Sequence, residues 1–300
     1  MLSRRNTLKK ISQAMVLGSF TAAFSFRFAK AETNLQNLAG KINHSACRWC
    51  YGDIPFETLV KAGKKIGLQS IELTGPSEWE ILKKYDMTSA MGWAEGGNWG
   101  NGLGLENGFN KLENHENLVK VYEDLIPKAA KAGIKSVICF SGNRKGLDAE
   151  TGLKNCKEGL QKIIKTAEKY KINVVMELLN SKIDHKDYQC DHTAWGVELC
   201  KMVGSERFQL LYDIYHMQIM EGDVIRNIKE NYKYIAHYHT GGVPGRHEID
   251  ESQELYYPAI MKAIVETGYK GFVGQEFIPT PKDQAGKIAS LTKAVKICDI

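Results

Sequence analysis

Two patterns of apolar residues alternate along most of the chain. Short runs rich in Val, Ile and Leu are followed by longer stretches in which apolar residues recur every three or four positions. The first pattern is typical of buried strands and the second of amphipathic helices. The runs predict eight strands, at residues 41–47, 68–73, 87–91, 134–140, 172–178, 208–213, 235–239 and 271–277. The longer stretches predict helices that include residues 55–66, 115–132, 152–170, 192–203 and 255–267.

The order of these elements predicts the fold class. Gly67, Gly133 and Gly268 each follow a predicted helix directly, where glycine commonly ends a helix. Eight strands that alternate with helices predict an α/β protein with a (β/α)8 TIM barrel, in a single domain over residues 32–300. An open, doubly wound sheet is the alternative, but neither a GxGxxG segment nor a P-loop follows the first predicted strand.

Residues 1–31 have the layout of an export signal. The segment starts with basic residues, continues with an apolar stretch over residues 11–26, and ends in Ala29-Lys30-Ala31, which resembles a cleavage site. Residues 3–9, Ser-Arg-Arg-Asn-Thr-Leu-Lys, resemble a twin-arginine signal, although Thr7 replaces the usual Phe. We expect export to the periplasm by the twin-arginine route, with cleavage after Ala31. An ordinary Sec signal and an uncleaved anchor remain alternatives, and the stretch is short for a stable membrane anchor.

The formal net charge of +5 at pH 7 comes from this segment. Residues 1–31 hold six of the 40 basic residues and none of the 35 acidic residues. The rest of the chain therefore has 34 basic against 35 acidic residues and a formal charge of −1. A domain so close to neutral is not typical of proteins that bind nucleic acid. We expect no nucleic-acid partner.

Two further sequence features stand near predicted strand ends. Cys47 and Cys50 form a lone CxxC among seven cysteines, and the pattern leaves open whether the two are bridged. Residues 92–110 follow the third predicted strand and contain seven glycines with Trp93, Trp99 and Phe109. Long connections of this kind inside a compact domain are usually functional. We expect this loop to lie over the C-terminal face of the barrel and to contact a small ligand.

Ionisable side chains close several predicted strands, where a barrel needs apolar residues. Four consecutive strands end in Glu177, Asp213, His239 and Glu276, and Glu72 closes the second strand. Clustered carboxylates repel one another unless a cation is present. Three oxygen donors and one imidazole suit Mn²⁺, Mg²⁺ or Co²⁺. A metal that polarises a carbonyl beside carboxylate bases can shift a proton on the neighbouring carbon.

Other polar residues follow the same strand ends. Asn180 comes three residues after Glu177, and His216 comes three residues after Asp213, so both are expected to face the same rim. We expect His216 to contact the substrate. His237 precedes His239 by two residues and is expected one layer deeper, as a core histidine that orients its neighbours.

Four stretches of the chain are recognisable: residues 176–180 (Met-Glu-Leu-Leu-Asn), 211–223, 244–248 and 268–277. They resemble hydroxypyruvate isomerases, and more broadly the xylose-isomerase-like barrels that include ketose 3-epimerases. The resemblance implies one divalent metal ion held by Glu177, Asp213, His239 and Glu276. It also implies that Glu177 and Glu276 act as the acid/base pair and that His216 and Arg246 contact substrate oxygens. Glu72 and Asn180 match rim positions expected near the substrate.

The resemblance leaves alternatives for the substrate. Hydroxypyruvate isomerases usually carry Gln where this chain has His239, a residue that the sugar epimerases share, and residues 249–253 depart from the family pattern. The first expectation is isomerisation of hydroxypyruvate to tartronate semialdehyde through an enediolate. The alternatives are an exported epimerase or lyase of 3-keto-glycosides with the same metal site, and a non-catalytic carbohydrate-binding barrel. A phosphodiester-cleaving barrel needs more histidines than the eight present. The number of subunits stays open, with a homo-oligomer among the alternatives.

Overall fold

The computed structural model describes residues 38–95 and 102–300. The described residues all fall in a single compact unit. The predicted export signal at residues 1–31 lies outside them, as do residues 96–101 of the glycine-rich loop. Within the described ranges, no helix is both long enough and apolar enough to cross a membrane.

Seven parallel strands form the sheet, in the order β2-β1-β7-β6-β5-β4-β3. Parallel strands with helical crossovers on the outside are those of the predicted TIM barrel, which is confirmed. The strands are β1 (Asn43–Cys47), β2 (Ser70–Glu72), β3 (Ser136–Cys139), β4 (Asn173–Glu177), β5 (Phe208–Asp213), β6 (Ile235–Thr240) and β7 (Phe272–Gln275).

The predicted strand at residues 87–91 forms only isolated bridges, yet it closes the barrel. Thr88 bridges to Ser70 beside it, and Gly92 bridges to Val137 of β3. The backbone ladder is interrupted because the Ala90 N–H donates to the Ser70 hydroxyl, at 2.8 Å, instead of to a main-chain carbonyl. The segment therefore takes the place of an eighth strand, with irregular pairing, between the two edge strands of the sheet.

Nine α-helices occur in the described residues; the first eight lie between successive strands, and the ninth follows the last strand. Gly67 and Gly133 end the first and third helices with φ of 99° and 82°, as the glycine positions predict. The Asp148 carboxylate caps the fourth helix by accepting from the Thr151 N–H at 2.8 Å. The helices are α1 (Phe56–Ile66), α2 (Pro76–Lys84), α3 (His115–Ala132), α4 (Ala149–Tyr170), α5 (Thr193–Val203), α6 (Ile214–Met220), α7 (Val224–Asn231), α8 (Tyr257–Glu266) and α9 (Gln284–Cys298).

Candidate active site

Four ionisable side chains meet at the C-terminal ends of β4 to β7. Glu177 ends β4, Asp213 ends β5, His239 lies near the end of β6, and Glu276 directly follows β7. The parallel register places Asp213 beside His239. One possible ligand atom from each of the four lies within 4.8 Å of the others, and all four side chains are buried. The structure thus brings together the complete set of metal-ligand candidates that the sequence predicted.

The imidazole of His239 lies between carboxylates on both of its nitrogens. Its Nδ1 atom is 2.8 Å from Glu276 Oε2 and 3.4 Å from Glu177 Oε1. Its Nε2 atom is 2.7 Å from Glu72 Oε1. The two nitrogens therefore face two different groups of acids, one at the rim and one beneath it.

The rim carboxylates differ in how strongly their surroundings favour the ionised form, and so in the direction of their pKa shifts. Burial raises the pKa of Glu177, and the nearby charge of Glu276 raises it further. Burial likewise raises the pKa of Asp213 well above its ordinary value, and Arg246 offsets only part of this effect. For Glu276, burial opposes ionisation, but His239 and Arg246 outweigh it and hold the pKa well below its usual range. The site pairs a stabilised carboxylate with two that are costly to ionise.

Arg246 supplies the positive charge among these acids. Its Nη2 atom is 2.6 Å from Glu276 Oε2 and 3.5 Å from Asp213 Oδ2. Its guanidinium stacks over the Trp49 ring at 5.1 Å and over the Tyr215 ring at 5.5 Å. The group is thus placed by two ion pairs and two aromatic faces.

Trp49 is a site residue that the sequence pattern did not single out. Its indole N–H donates to Glu276 Oε1 at 2.7 Å, so Glu276 is held on one oxygen by Trp49 and on the other by Arg246. Its position in the chain could have identified it, because Trp49 comes two residues after the end of β1, at the same rim. A single aromatic residue inside a CxxC gives no reason to choose it over the cysteines. Both Cys47 and Cys50 are free and buried in the structure.

His216 and Asn180 form a bonded pair at the start of α6. The Asp213 carboxylate accepts from the His216 backbone N–H at 3.1 Å and so caps this helix. Asn180 Nδ2 donates to His216 Nδ1 at 2.7 Å, which leaves His216 Nε2 as the N–H, 3.7 Å from Asp213 Oδ2. Asn180 is buried and its other bonds go to residues 183 and 184. Its contacts orient His216, whereas the sequence placed Asn180 against the substrate.

Glu72 ends β2, as predicted, and its contacts are with two histidines. The sequence placed it at the rim, in contact with the substrate. In the structure it is fully buried, and its Oε1 atom is 2.7 Å from Nε2 of both His237 and His239. Since it is on the side of His239 away from Glu276, its placement favours a contact with the imidazoles instead of with a ligand in the cleft.

A cleft of about 290 Å³ opens onto the acids. Its polar lining includes His185, a half-buried residue that the sequence pattern did not mark, whose ring meets that of His216 edge-on at 5.2 Å. The described part of the glycine-rich loop contributes Trp93 and residues 103–105 to the lining, which agrees with its predicted position over this face. The full lining is Trp49, Leu73, Trp93, Leu103, Gly104, Leu105, Phe140, Glu177, Leu179, His185, Arg246 and Glu276.

Curated relatives of the chain are named as isomerases. The 2-oxo-tetronate isomerase of Cupriavidus necator is 36% identical over 115 residues, which are 38% of this chain and 44% of that protein. The match therefore spans less than half of that relative's length. The hydroxypyruvate isomerase of Escherichia coli (strain K12) is 24% identical over 244 residues, with 79% of this chain and 93% of that protein covered.

Solved structures and a family model agree on the fold. The AP endonuclease, family 2, from Brucella melitensis superposes with a TM-score of 0.72 at 25% identity and covers 82% of this chain and 96% of its own. The 3-keto-D-glucoside 4-epimerase of E. coli, at 18% identity, gives a TM-score of 0.70 over 86% and 100% of the two chains. The family model described as xylose isomerase-like TIM barrel matches residues 60–294. This chain belongs to the xylose isomerase-like TIM barrel family.

Proposed function

We propose that this protein is a metal-dependent isomerase that moves a proton between adjacent carbons of a hydroxy-carbonyl compound. The observation that carries the proposal is the convergence of Glu177, Asp213, His239 and Glu276 within 4.8 Å on four successive strands. The names of the curated relatives support the isomerase class. A barrel that only bound carbohydrate would not need this buried set of acids.

The four side chains fit a divalent cation. Glu177 Oε1 and His239 Nδ1 are buried and have no hydrogen-bond partner. Three ionised carboxylates with Arg246 leave two negative charges, which one divalent ion would neutralise. Three oxygen donors with one nitrogen suit Mn²⁺, Mg²⁺ or Co²⁺. We propose that these four residues hold one such ion.

The proposed chemistry follows from the unequal carboxylates. When bound, the cation supplies the charge that polarises a carbonyl oxygen. Glu177 and Glu276 form the acid/base pair: one takes the proton from the hydroxyl-bearing carbon, which leaves an enediolate. The hydroxyl proton passes to the former carbonyl oxygen, and the pair returns a proton to the neighbouring carbon. Two carboxyl groups whose surroundings push their pKa values apart suit such an exchange of roles. Arg246 and His216 supply donors that orient the oxygens of the substrate.

Two classes of substrate compete for this site. The relatives' names favour a small keto acid such as hydroxypyruvate. The cleft favours a neutral sugar or 3-keto-glycoside, because Arg246 is the only Lys or Arg in its described lining and is already paired with Glu276 at 2.6 Å. Trp49 and Trp93 add flat apolar surface that suits the C–H face of a sugar.

A matched pair of substrates tests the function and the class together. Hydroxypyruvate and dihydroxyacetone differ only in a carboxylate that replaces a hydroxymethyl group. Each would be incubated in ²H₂O with protein loaded with Mn²⁺, Mg²⁺ or Co²⁺, beside a 3-keto-glucoside, and deuterium incorporation followed by NMR. Exchange in hydroxypyruvate alone supports the keto-acid isomerase, and exchange in the neutral compounds alone supports the sugar enzyme. Binding of a sugar without exchange in any of them would replace the enzyme with a carbohydrate-binding barrel.

We also propose export by the twin-arginine route, which rests on the layout of residues 1–31. Folding before export would allow the metal to be loaded in the cytoplasm. Changing both Arg4 and Arg5 to Lys should hold the protein in the cytoplasm, as measured by cell fractionation. Mature protein should begin at Glu32, and periplasmic protein with an intact amino terminus would contradict the cleavage.

A further inference from the structure

Beneath the rim, two histidines converge on one carboxylate oxygen. Glu72 Oε1 lies 2.7 Å from Nε2 of His237 and 2.7 Å from Nε2 of His239. Glu72 and His239 are fully buried, and His237 is 2% exposed. Neither His237 nor Glu72 lines the cleft, so the proposed acid/base chemistry uses neither of them directly.

The geometry decides which groups donate. A single oxygen that faces two ring nitrogens can accept a hydrogen bond from both but can donate to at most one. The arrangement is satisfied when Glu72 is a carboxylate and both imidazoles carry their proton on Nε2. A cation that bound His239 would do so through Nδ1, the atom that lies 2.8 Å from Glu276 Oε2, and this nitrogen would have to be free of its proton.

The neighbouring residues pack closely around this contact. A Cβ atom at Gly274 would lie 2.8 Å from Glu72 Oε1 and 2.9 Å from His239 Cδ2, so β7 needs glycine there. On another side, Cys47 Sγ is 3.6 Å from His239 Nε2 and 3.9 Å from Glu72 Oε1. The carboxylate is thus enclosed by groups that leave it little choice of partner.

We propose that Glu72, braced by His237, is a positioning residue that holds His239 in the Nε2–H tautomer and so presents Nδ1 to the metal ion. A carboxylate behind a ligating histidine fixes both the ring orientation and the tautomer, and loss of such a partner typically costs about 10- to 100-fold in metal affinity. The metal part of the inference rests on the proposed function. The contact between Glu72 and Nε2 of His239 is a property of the metal-free chain.

Two measurements test the proposal separately. In metal-free protein labelled with ¹⁵N-histidine, long-range ¹H–¹⁵N spectra should show His239 protonated on Nε2, with the signal assigned by its loss in His239→Asn. In Glu72→Leu, Nε2 of His239 should no longer be protonated in every molecule. Wild-type protein in which His239 carries a proton on Nδ1 and none on Nε2 would overturn the proposal whatever the metal does.

Calorimetric titration with Mn²⁺ gives the second measurement. Glu72→Leu should bind Mn²⁺ about 10- to 100-fold more weakly than wild type, and Glu72→Gln, which keeps an acceptor oxygen, should recover part of the loss. Ser45→Ala is the matched control, because it removes a buried hydrogen bond of 2.8 Å between Ser45 on β1 and Ser70, which lies two residues before Glu72 on β2. It should bind Mn²⁺ as wild type does.

The outcomes separate this proposal from the proposed function. If Glu72→Leu unfolds at the wild-type temperature and binds Mn²⁺ with wild-type affinity, Glu72 has no positioning role. One donor atom each from Cys47, Glu72 and His239 also lie within 4.8 Å of one another. If wild-type protein binds a second equivalent of Mn²⁺ and Cys47→Ala does not, these three residues form a second metal site, and the positioning role is wrong. If no variant and no wild type binds metal, the proposed function fails, and the NMR result alone decides the tautomer.

Discussion

The two halves of the barrel rim present different chemistry to the same cleft. Strands β4 to β7 deliver the acids, His239 and, in the loop after β6, Arg246. The ends of β1, β2, β3 and the irregular segment between β2 and β3 deliver Trp49, Leu73, Phe140 and Trp93. One half can hold a cation and move a proton, whereas the four residues named from the other half present apolar surface and the indole N–H groups of Trp49 and Trp93.

The backbone of the apolar half is irregular in one segment, although its ladder between β1 and β2 is regular. The ladders from β4 to β7 run with one register shift, between Leu210 and Leu211, whereas residues 87–92 make only isolated bridges. Reacting groups need positions that are fixed within about half an ångström, which regular strands provide. An apolar wall tolerates a less regular support. We infer that reaction type is set by β4 to β7 and substrate choice by the opposite half.

Removing a carboxylate from the polar half should have the largest effect. Glu276→Gln keeps the size of the side chain and both neighbours, Trp49 and Arg246, but it cannot take a proton. We expect turnover in the deuterium-exchange assay to fall by about 10²- to 10⁴-fold with little change in the unfolding temperature. Glu177→Gln should act in the same direction.

The matched control for this change is Ile278→Val. Ile278 lies two residues beyond Glu276, its side chain is 41% exposed, and it does not line the cleft. The variant should keep wild-type turnover. If Glu276→Gln exchanges deuterium into a confirmed substrate at the wild-type rate, Glu276 is not part of the acid/base pair. The assignment of the reaction to β4 to β7 would then be wrong.

The contrast between the halves also explains what the sequence could predict. Charged residues that end apolar strands are conspicuous, so Glu177, Asp213, His239 and Glu276 can be chosen from the sequence alone. Their meeting follows from parallel strands whose ends share one rim. The apolar half has no such signal, because in the sequence Trp49 and Phe140 look like any other aromatic residues near the end of a strand.

Other parts of the site depend on contacts that a sequence does not contain. The pattern puts Glu72 at a strand end and Asn180 just beyond one, but whether each faces the ligand or a neighbouring histidine depends on side-chain packing. His185 lies in a loop without periodicity, so nothing marks it. The apolar pattern of residues 87–91 predicts a regular strand, and the hydroxyl of Ser70 that interrupts its ladder belongs to another strand.

A change at the contact between the two halves should have an intermediate effect. Trp49→Phe keeps an aromatic face under Arg246 and removes only the N–H that donates to Glu276 Oε1 at 2.7 Å. A hydrogen bond to a charged group contributes about 1.5–3 kcal/mol, so we expect turnover to fall by roughly 10- to 100-fold. The effect should appear in kcat, because Glu276 is misplaced for proton transfer even when substrate is bound. A change in KM alone would assign Trp49 to the apolar wall instead.

The smallest effect is expected from a change within the apolar half. Trp93→Leu trims a half-buried ring from the cleft and leaves every acid in place. If this wall binds the part of the substrate that does not react, its contacts are equally strong before and during the reaction, and KM should rise about tenfold with kcat nearly unchanged.

The rise should be larger for a keto-glycoside than for dihydroxyacetone, because the smaller molecule cannot reach from the acids to Trp93 with an apolar face of its own. Steady-state kinetics of both substrates with wild type and Trp93→Leu measure this difference. An equal loss of kcat with both would show that the two halves act together in the reaction, and the division of labour between chemistry and recognition would have to be abandoned.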